Sequence, residues 1–509
     1  MLVLDKTSRV PYAGLVRLRT RERAQPVEWT SRRELIDACA KEPERVADLV
    51  LDLRRQMSLA RERIRELERR LDLNSQNSHK PPSSDGYKKP QPKSLREKSG
   101  RPSGGQPGHP GHRLELRENP EHIVRHRPST CACCRHSLGG APSEGYDRRQ
   151  VFELVARVEA TEHQAHTVRC PKCGEATTAA FPDNVAAQTQ YGSAMKAFAS
   201  YCDAYQFIPS ERLRELIHDL TGHCLSEATL YHVTETLFTA LQPHAAAVQA
   251  QLAVAPVTNH DESGLRVQGK VHWLHSASTP SLTAYHVDKR RGVVGMAAAG
   301  ILPHRIGTVV HDGWPPYWTY AQCRHALCNV HHERELRAVD ELDHQPWANR
   351  LIGVLHTAKA AVAAAREAGL DQLTAEQLVA LTAKYSEVIE EGLAANPLPE
   401  PIMTPTGKPA RMKKSKARNL LERLDLRREA VLLFMHDFAI PYSNNQGEQD
   451  IRMIKVQQKI SGAFRTLDGA AQFCRLRGYI STLKKRALPV LYFLQEALEG
   501  RPYIPPAPG

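Results

Sequence analysis

APVTNHDESG at residues 255–264 and GTVVHDGW at residues 307–314 decide how this chain folds. Each is a short apolar run ending in an acid and a turn-former, Asp261 before Ser263 and Gly264, Asp312 before Gly313. Runs of this kind read as strands closed by turns. Between them lie KVHWLHSAST and LTAYHVD, both rich in β-branched and aromatic residues, and then the helical stretch RGVVGMAAAGIL. Three runs separated by turn residues predict an antiparallel meander, followed by a helix and a buried strand at Thr308–Val310. After another helical stretch, CRHALCNVHH reads as one further strand.

The order β-β-β-α-β-α-β matches a ribonuclease-H-like α/β fold, in which the strands carrying Asp261 and Asp312 are neighbours. Each acid sits at the carboxyl end of an apolar strand, where α/β sheets gather functional side chains. Two carboxylates brought together repel, and a bound cation removes that penalty. Oxygen ligands without a nearby thiolate favour Mg²⁺ or Mn²⁺. A lone Asp after a strand is commonly only a turn residue, so the pair carries the reading.

A third acid comes from PYSNNQGEQDIRMIKVQQKISGAFRT. Ser443 or Asn444 can cap a helix beginning near Gln446, on which Glu448, Arg452, Lys455 and Lys459 share one face. Ile451 and Ile454, flanked by Met453, point to the core. A carboxylate beside a basic stripe suits a metal-dependent site acting on a phosphodiester, and a surface Glu–Arg pair is the bland alternative.

Outward from this segment the chain reads as several modules, as its 509 residues require. Residues 1–30 are basic and irregular. Over 31–73 the pattern is helical. Apolar positions from Val46 through Val50, Leu53, Met57, Ala60, Ile64 and Leu67 to Leu71 alternate steps of four and three, a leucine-zipper-like coiled-coil seam. Residues 74–118 form a linker rich in Pro, Gly, Ser and Lys, with eight Lys or Arg against two acids between Lys80 and Arg113. Such a segment buries too little apolar surface to order itself, and its sign suits DNA phosphates.

Over 119–183, Cys131-x-x-Cys134 and Cys170-x-x-Cys173 offer four thiolates for a structural Zn²⁺, and the stretch between them, VFELVARVEATEHQAHTVR, looks strand-like. Residues 184–254 read as helices. A helix from Ser210 to Thr221, ended by Gly222, precedes one capped by Ser226, and the pair resembles a helix-turn-helix. The ribonuclease-H-like domain is expected over 255–335 and 436–485. The intervening 336–435 is an α-helical insertion containing LIGVLHTAKAAVAAAREAG and LDQLTAEQLVALTAKYSEVIEEGL, and 486–509 is a tail. Within the insertion, Lys408, Arg411, Lys413, Lys414, Lys416 and Arg418 make a basic loop suited to DNA. His325, Cys328, His331 and His332 suggest a second metal cluster, but core packing and backbone contacts explain them more cheaply.

The excess of 69 Lys and Arg over 56 acids gives a net charge of +13, which predicts attraction to a polyanion. No apolar run is long enough to span a bilayer and no secretory signal opens the chain. The expectation is therefore a cytosolic protein working at the nucleoid, with its eleven cysteines reduced or metal-bound.

The strings NSQNSHKPPSSDG, GGQPGHPGH, CACC…CPKCG, HDESGLRVQGKVHWLHSAST, VVHDGW, HALCNVHHERELR and NNQGEQDIRMIKVQQKISGAFRT resemble, in order, the transposases of the insertion-sequence-sixty-six family. The resemblance implies a DDE enzyme with Asp261, Asp312 and Glu448 as its acids. It implies cleavage of element ends at the terminal inverted repeats and joining of the 3′-hydroxyl to target DNA with two Mg²⁺ or Mn²⁺ ions. A homo-oligomer on DNA and small accessory transposition proteins come with it. Asp312 and Glu448 stand 136 positions apart, as an inserted helical region requires. One departure is Gln449, where the family usually has Arg after the glutamate. A non-catalytic DNA-binding regulator and a nuclease without strand transfer are the alternatives.

Overall fold

The computed structural model describes residues 31–74, 76–78, 114–154, 156–398 and 414–507. The chain divides at Leu73 into two units. In the first, Ser31 caps helix α1 (Arg32–Lys41) through a capping box with Glu34. Pro43 then opens α2 (Pro43–Asp72), where its missing N–H costs nothing. The zipper-like positions Val50, Leu53, Met57, Ile64, Leu67 and Leu71 are all exposed along α2. Residues 1–30 and most of the basic linker, 79–113, lie outside the described residues.

The second unit begins with a small hairpin, β1 (Thr167–Arg169) paired antiparallel with β2 (Ala176–Thr178). The longer strand expected from residue 151 reduces to β1. Val151 and Leu154 are exposed, and no partner ladder forms for them among the described residues, without which extended backbone gains nothing. Four helices follow, α3 (Ser193–Ala204), α4 (Ser210–Thr221), α5 (Glu227–Ala240) and α6 (Gln242–Val254). Gly222, left-handed at φ 73°, ends α4, and the Ser226 side chain accepts the Thr229 N–H to start α5.

The central sheet contains β3 (Val257–Val267), β4 (Lys270–Ser278), β5 (Thr283–Asp288), β6 (Thr308–His311) and β7 (Arg324–Leu327). Its order is β5-β4-β3-β6-β7. The first three strands form the antiparallel meander, while β3, β6 and β7 run parallel. Helix α7 (Val293–Ala298) lies between β5 and β6. After β7 comes α8 (Asn329–Asp343), so the strand read into CRHALCNVHH stops at Leu327, and Cys328 is the helix N-cap. The insertion folds as α9 (Pro346–Glu367), α10 (Ala375–Ala395), α11 (Lys416–Leu426) and α12 (Arg428–His436). The chain then returns through α13 (Asn445–Ser461) and α14 (Leu467–Lys485).

Side chains alternate across the strands, and that alternation sorts the core. Leu265 and Leu274 share one face with Ile451 and Ile454 of α13 and with Phe473 of α14. On the same face Val310 and Ala326 meet α8 and the inserted helices around Trp347, Leu351 and Leu421, a cluster that Leu327 joins at the end of β7. On the opposite face Val309 packs with Met296, Tyr317 and Tyr320, and Ala277 with Val248 and Leu252 of α6.

The final stretch, expected as a tail, contains α15 (Val490–Leu498). Leu494 and Ala497 join Val233, Leu237, Tyr479 and Ile480 in one buried cluster. The helices before the sheet and those after it thus share a core. Among the described residues no helix is long and apolar enough to cross a membrane. Leu494→Ala should cost about 2–5 kcal/mol of stability, read by denaturant unfolding, and a loss under about 1 kcal/mol would show that α15 is only peripheral.

Candidate functional site

Asn259 of β3 stands opposite Val310 of β6 in parallel register. Asp261 and Asp312 lie two residues further along, so both fall on the face that α13 covers. Asp261, however, is inside β3, which runs on through the expected turn at Ser263 and Gly264 to Val267 because those residues pair with β4. Asp312 sits just past β6, where Gly313 at φ 90° turns the chain and the Trp314 N–H donates to Asp312 Oδ1 at 2.8 Å. Asp261 Oδ1 accepts the Glu262 N–H at 2.8 Å.

Glu448 arrives on the first turn of α13. Asn444 caps that helix with its backbone and uses its side chain elsewhere. Asn444 Nδ2 donates to the His260 carbonyl at 2.7 Å, and Asn444 Oδ1 accepts from Asn259 Nδ2 at 2.8 Å. The Asn444 N–H donates to Cys328 Sγ at 3.1 Å, just beyond β7. The start of α13 is thereby pinned to two strands. Gly447 leaves room for this, since a Cβ there would meet the Asn444 side chain at 2.9 Å.

Burial pushes the Asp261 carboxyl up to about 8, and the neighbouring charges of Glu262, Asp312 and Glu448 push the same way. The Glu262 carboxyl is raised to about 7, by burial first and then by Asp312. Glu448 Oε1 is buried without a hydrogen-bond partner, and His331 Nε2 lies 3.7 Å from it. Mutually repelling carboxylates and an unsatisfied buried oxygen are what a hard divalent cation would relieve.

Cys328, His331 and Glu448 also bring one potential ligand atom each within 4.8 Å of one another. Cys328 Sγ already accepts the Asn444 N–H, and burial pushes its thiol up to about 12, which favours a packed thiol over a ligand. His325 instead accompanies His311 at 3.1 Å, and neither it nor His332 belongs to that group.

Arg452, Lys455 and Lys459 are exposed along α13. Lys414 is held by Glu422 at 2.6 Å, and Lys416 opens α11. Lys408, Arg411 and Lys413 lie outside the described residues. Each Cys pair forms a tight turn, with the Arg135 N–H on the Cys131 carbonyl and the Gly174 N–H on the Cys170 carbonyl. Backbone N–H groups of those turns lower the Cys131 and Cys170 thiols from their ordinary value. Among the described residues the four thiols are not gathered into one group of ligand atoms.

Sequence reasoning missed Asn259, Glu262 and Tyr317. Glu262 points to the face opposite Asp261, where the Tyr317 hydroxyl donates to its Oε1 and Arg291 faces its Oε2 at 3.5 Å. The signal was present, because strand alternation puts adjacent acids on opposite faces, but which side chain meets Glu262 depends on the loop after Asp312.

With no cation, folded Asp261 binds a proton that the unfolded chain releases near 3.8, so stability falls as pH rises towards about 8. Buried histidines such as His260, lowered to about 3, oppose this only below their ordinary 6.5. Between pH 6.5 and 8 the metal-free protein should therefore lose thermal stability. Asp261→Asn should flatten that slope and added Mg²⁺ should offset it, while an unchanged slope in the variant would place the effect elsewhere.

No curated protein matches the chain. Residues 31–115 match a family of unknown function (DUF6444). Residues 188–472 match the family described as Transposase IS66 family. That span runs from just before α3 into α14 and includes all three acids, the sheet and the insertion, and it covers more than half of the chain: the protein belongs to the IS66 family of transposases.

Proposed function

We propose that this chain is a DNA transposase of the DDE type that cuts element ends and joins the freed 3′-hydroxyl to target DNA. The observation that carries the reading is the convergence of Asp261, Asp312 and Glu448 from β3, β6 and α13, strong enough that Asp312 and Glu448 both raise the Asp261 carboxyl. The sheet order, with an antiparallel meander feeding two parallel strands, supports a ribonuclease-H-like catalytic unit. Family membership supports an enzyme of the nuclease or transferase kind that acts on DNA with divalent metal.

In this reading Asp261, Asp312 and Glu448 hold the metal, and their all-oxygen donor set suits Mg²⁺ or Mn²⁺. Two such ions, when bound, supply the Lewis acidity that activates the attacking oxygen and stabilises the leaving one. Asn444 keeps the Glu448 carboxylate in register with the strands. Arg452, Lys455 and Lys459 grip the phosphodiester backbone from the exposed face of α13. No side chain needs to bond covalently to DNA. Water opens the strand at the element end, and the 3′-hydroxyl then attacks the target phosphorus in line with the departing oxygen.

The other modules serve assembly and recognition. The exposed seam of α2 supports pairing of two protomers, and the α4–α5 unit supports reading of the terminal repeat. Cys131, Cys134, Cys170 and Cys173 would close on one structural Zn²⁺, since the lowered Cys131 and Cys170 thiols favour the thiolates zinc requires.

Asp312→Asn should keep folding and DNA binding yet lower Mg²⁺-dependent cutting and joining of the element's end DNA by roughly a hundredfold or more. Cutting and joining at the wild-type rate would remove the three acids from the chemistry. Cut ends that are never joined would favour a nuclease. Purified chain should also carry zinc that is lost in Cys170→Ser, and equal zinc in that variant would exclude the four-thiol site.

A further inference from the structure

We propose that Arg291 is a DNA-phosphate clamp on the side of the acid centre opposite α13, pre-oriented by two indole rings and a buried carboxylate. The proposal rests on the transposase reading above and adds to it a residue that neither the acids nor the basic stripe supplies.

The geometry around Arg291 is specific. Its guanidinium carbon lies 3.9 Å from the Trp314 ring centre and 4.8 Å from that of Trp273. One terminal nitrogen faces Glu262 Oε2 at 3.5 Å, where the Glu262 side chain is only 2% exposed and that of Arg291 is 35% exposed. Glu262 Oε1 is taken by the Tyr317 hydroxyl. Arg291 is therefore aimed by three side chains yet remains partly open to solvent, while its Nε is buried without a hydrogen-bond partner. Guanidinium carries its N–H donors in a fixed fork, so the terminal N–H groups not turned to Glu262 are left for a ligand.

Simple neutralisation of Glu262 does not account for this arrangement. The ion pair is long, and the Tyr317 hydroxyl already donates to the other oxygen of the carboxylate. Two indoles around one cation restrict its orientation before any ligand arrives, which lowers the entropy lost on binding. The same Trp314 donates its backbone N–H to Asp312, so clamp and acid are joined by one short turn.

Placement decides the ligand. Arg452, Lys455 and Lys459 are exposed on α13, which covers the Asp261 face of the sheet, whereas Glu262, Trp273 and Arg291 belong to the opposite face. Lys289 and Arg290, both exposed, precede Arg291. A strand crossing the acids thus meets cations on both sides, and a planar guanidinium flanked by aromatic rings matches a phosphate beside a stackable base.

The test is binding without divalent metal to a duplex of the terminal repeat that borders the gene for this chain, with single methylphosphonates placed along each strand. Wild type should lose affinity when one phosphate near the cut position is neutralised. Arg291→Ala should lose about tenfold in affinity and about one unit of slope in log affinity against log salt, and should be indifferent to that same methylphosphonate. Arg291→Lys should keep the slope and recover only part of the affinity. Wild-type affinity and slope in Arg291→Ala, or a loss spread evenly over all phosphates, would overturn the clamp. Because no chemistry is read, these outcomes stand apart from the Asp312→Asn result, which alone decides the catalytic reading.

Discussion

Asn444 makes the contacts on which the site depends. Its side chain accepts from Asn259 and donates to the His260 carbonyl, while its backbone N–H reaches Cys328. Three segments distant in sequence are brought to one buried point: β3, the end of β7, and the start of α13 from Asn444 to Gly447. A buried amide must satisfy its donors and acceptors, and here they are satisfied only when α13 sits in one position. Glu448 is one turn away, so the reach of its carboxylate towards Asp261 is set by this packing.

That positioning has an electrostatic cost which the fold retains. Asp261 and Glu262 in β3, Asp312 just past β6 and Glu448 on α13 crowd together, and burial raises Asp261 and Glu262 well above the usual carboxylate range. A structure selected for stability alone would not hold acids there, and sites tuned for chemistry do. The two faces answer the charge differently. On one, the opening to α13 leaves Glu448 Oε1 unsatisfied. On the other, Tyr317 and Arg291 satisfy Glu262.

Much of the rest of the second unit is scaffold for this edge. The inserted helices bury Trp347, Leu351, Tyr385 and Leu421 against the far strands, which braces β6 and β7 from the side. The terminal helix α15 and the early helices α3 and α5 close a second core over α14. The strands that carry Asp261 and Asp312 are therefore framed by helices from before and after the sheet, although the sequence reads as a succession of separate modules.

What the sequence determined by itself was local. The apolar runs before Asp261 and Asp312 dictated strands, though only Asp312 stands at a strand's end, and the capping signals at Ser31 and Ser226 started helices where they stand. Period, caps and turns act over a few residues, so they are legible in one chain without its fold. The strand expected over 151–169 failed because extended backbone needs a partner that local pattern does not supply, and the last helix was missed because Leu494 gains burial only against Leu237 and Tyr479. Tertiary structure alone decided that Glu262 turns away from Asp261 to Tyr317, that Asn444 spends its side chain on β3 instead of its own helix, and that Arg291 lies between two indoles. Each of these is a contact between residues far apart in sequence, fixed by close packing and the satisfaction of buried polar groups.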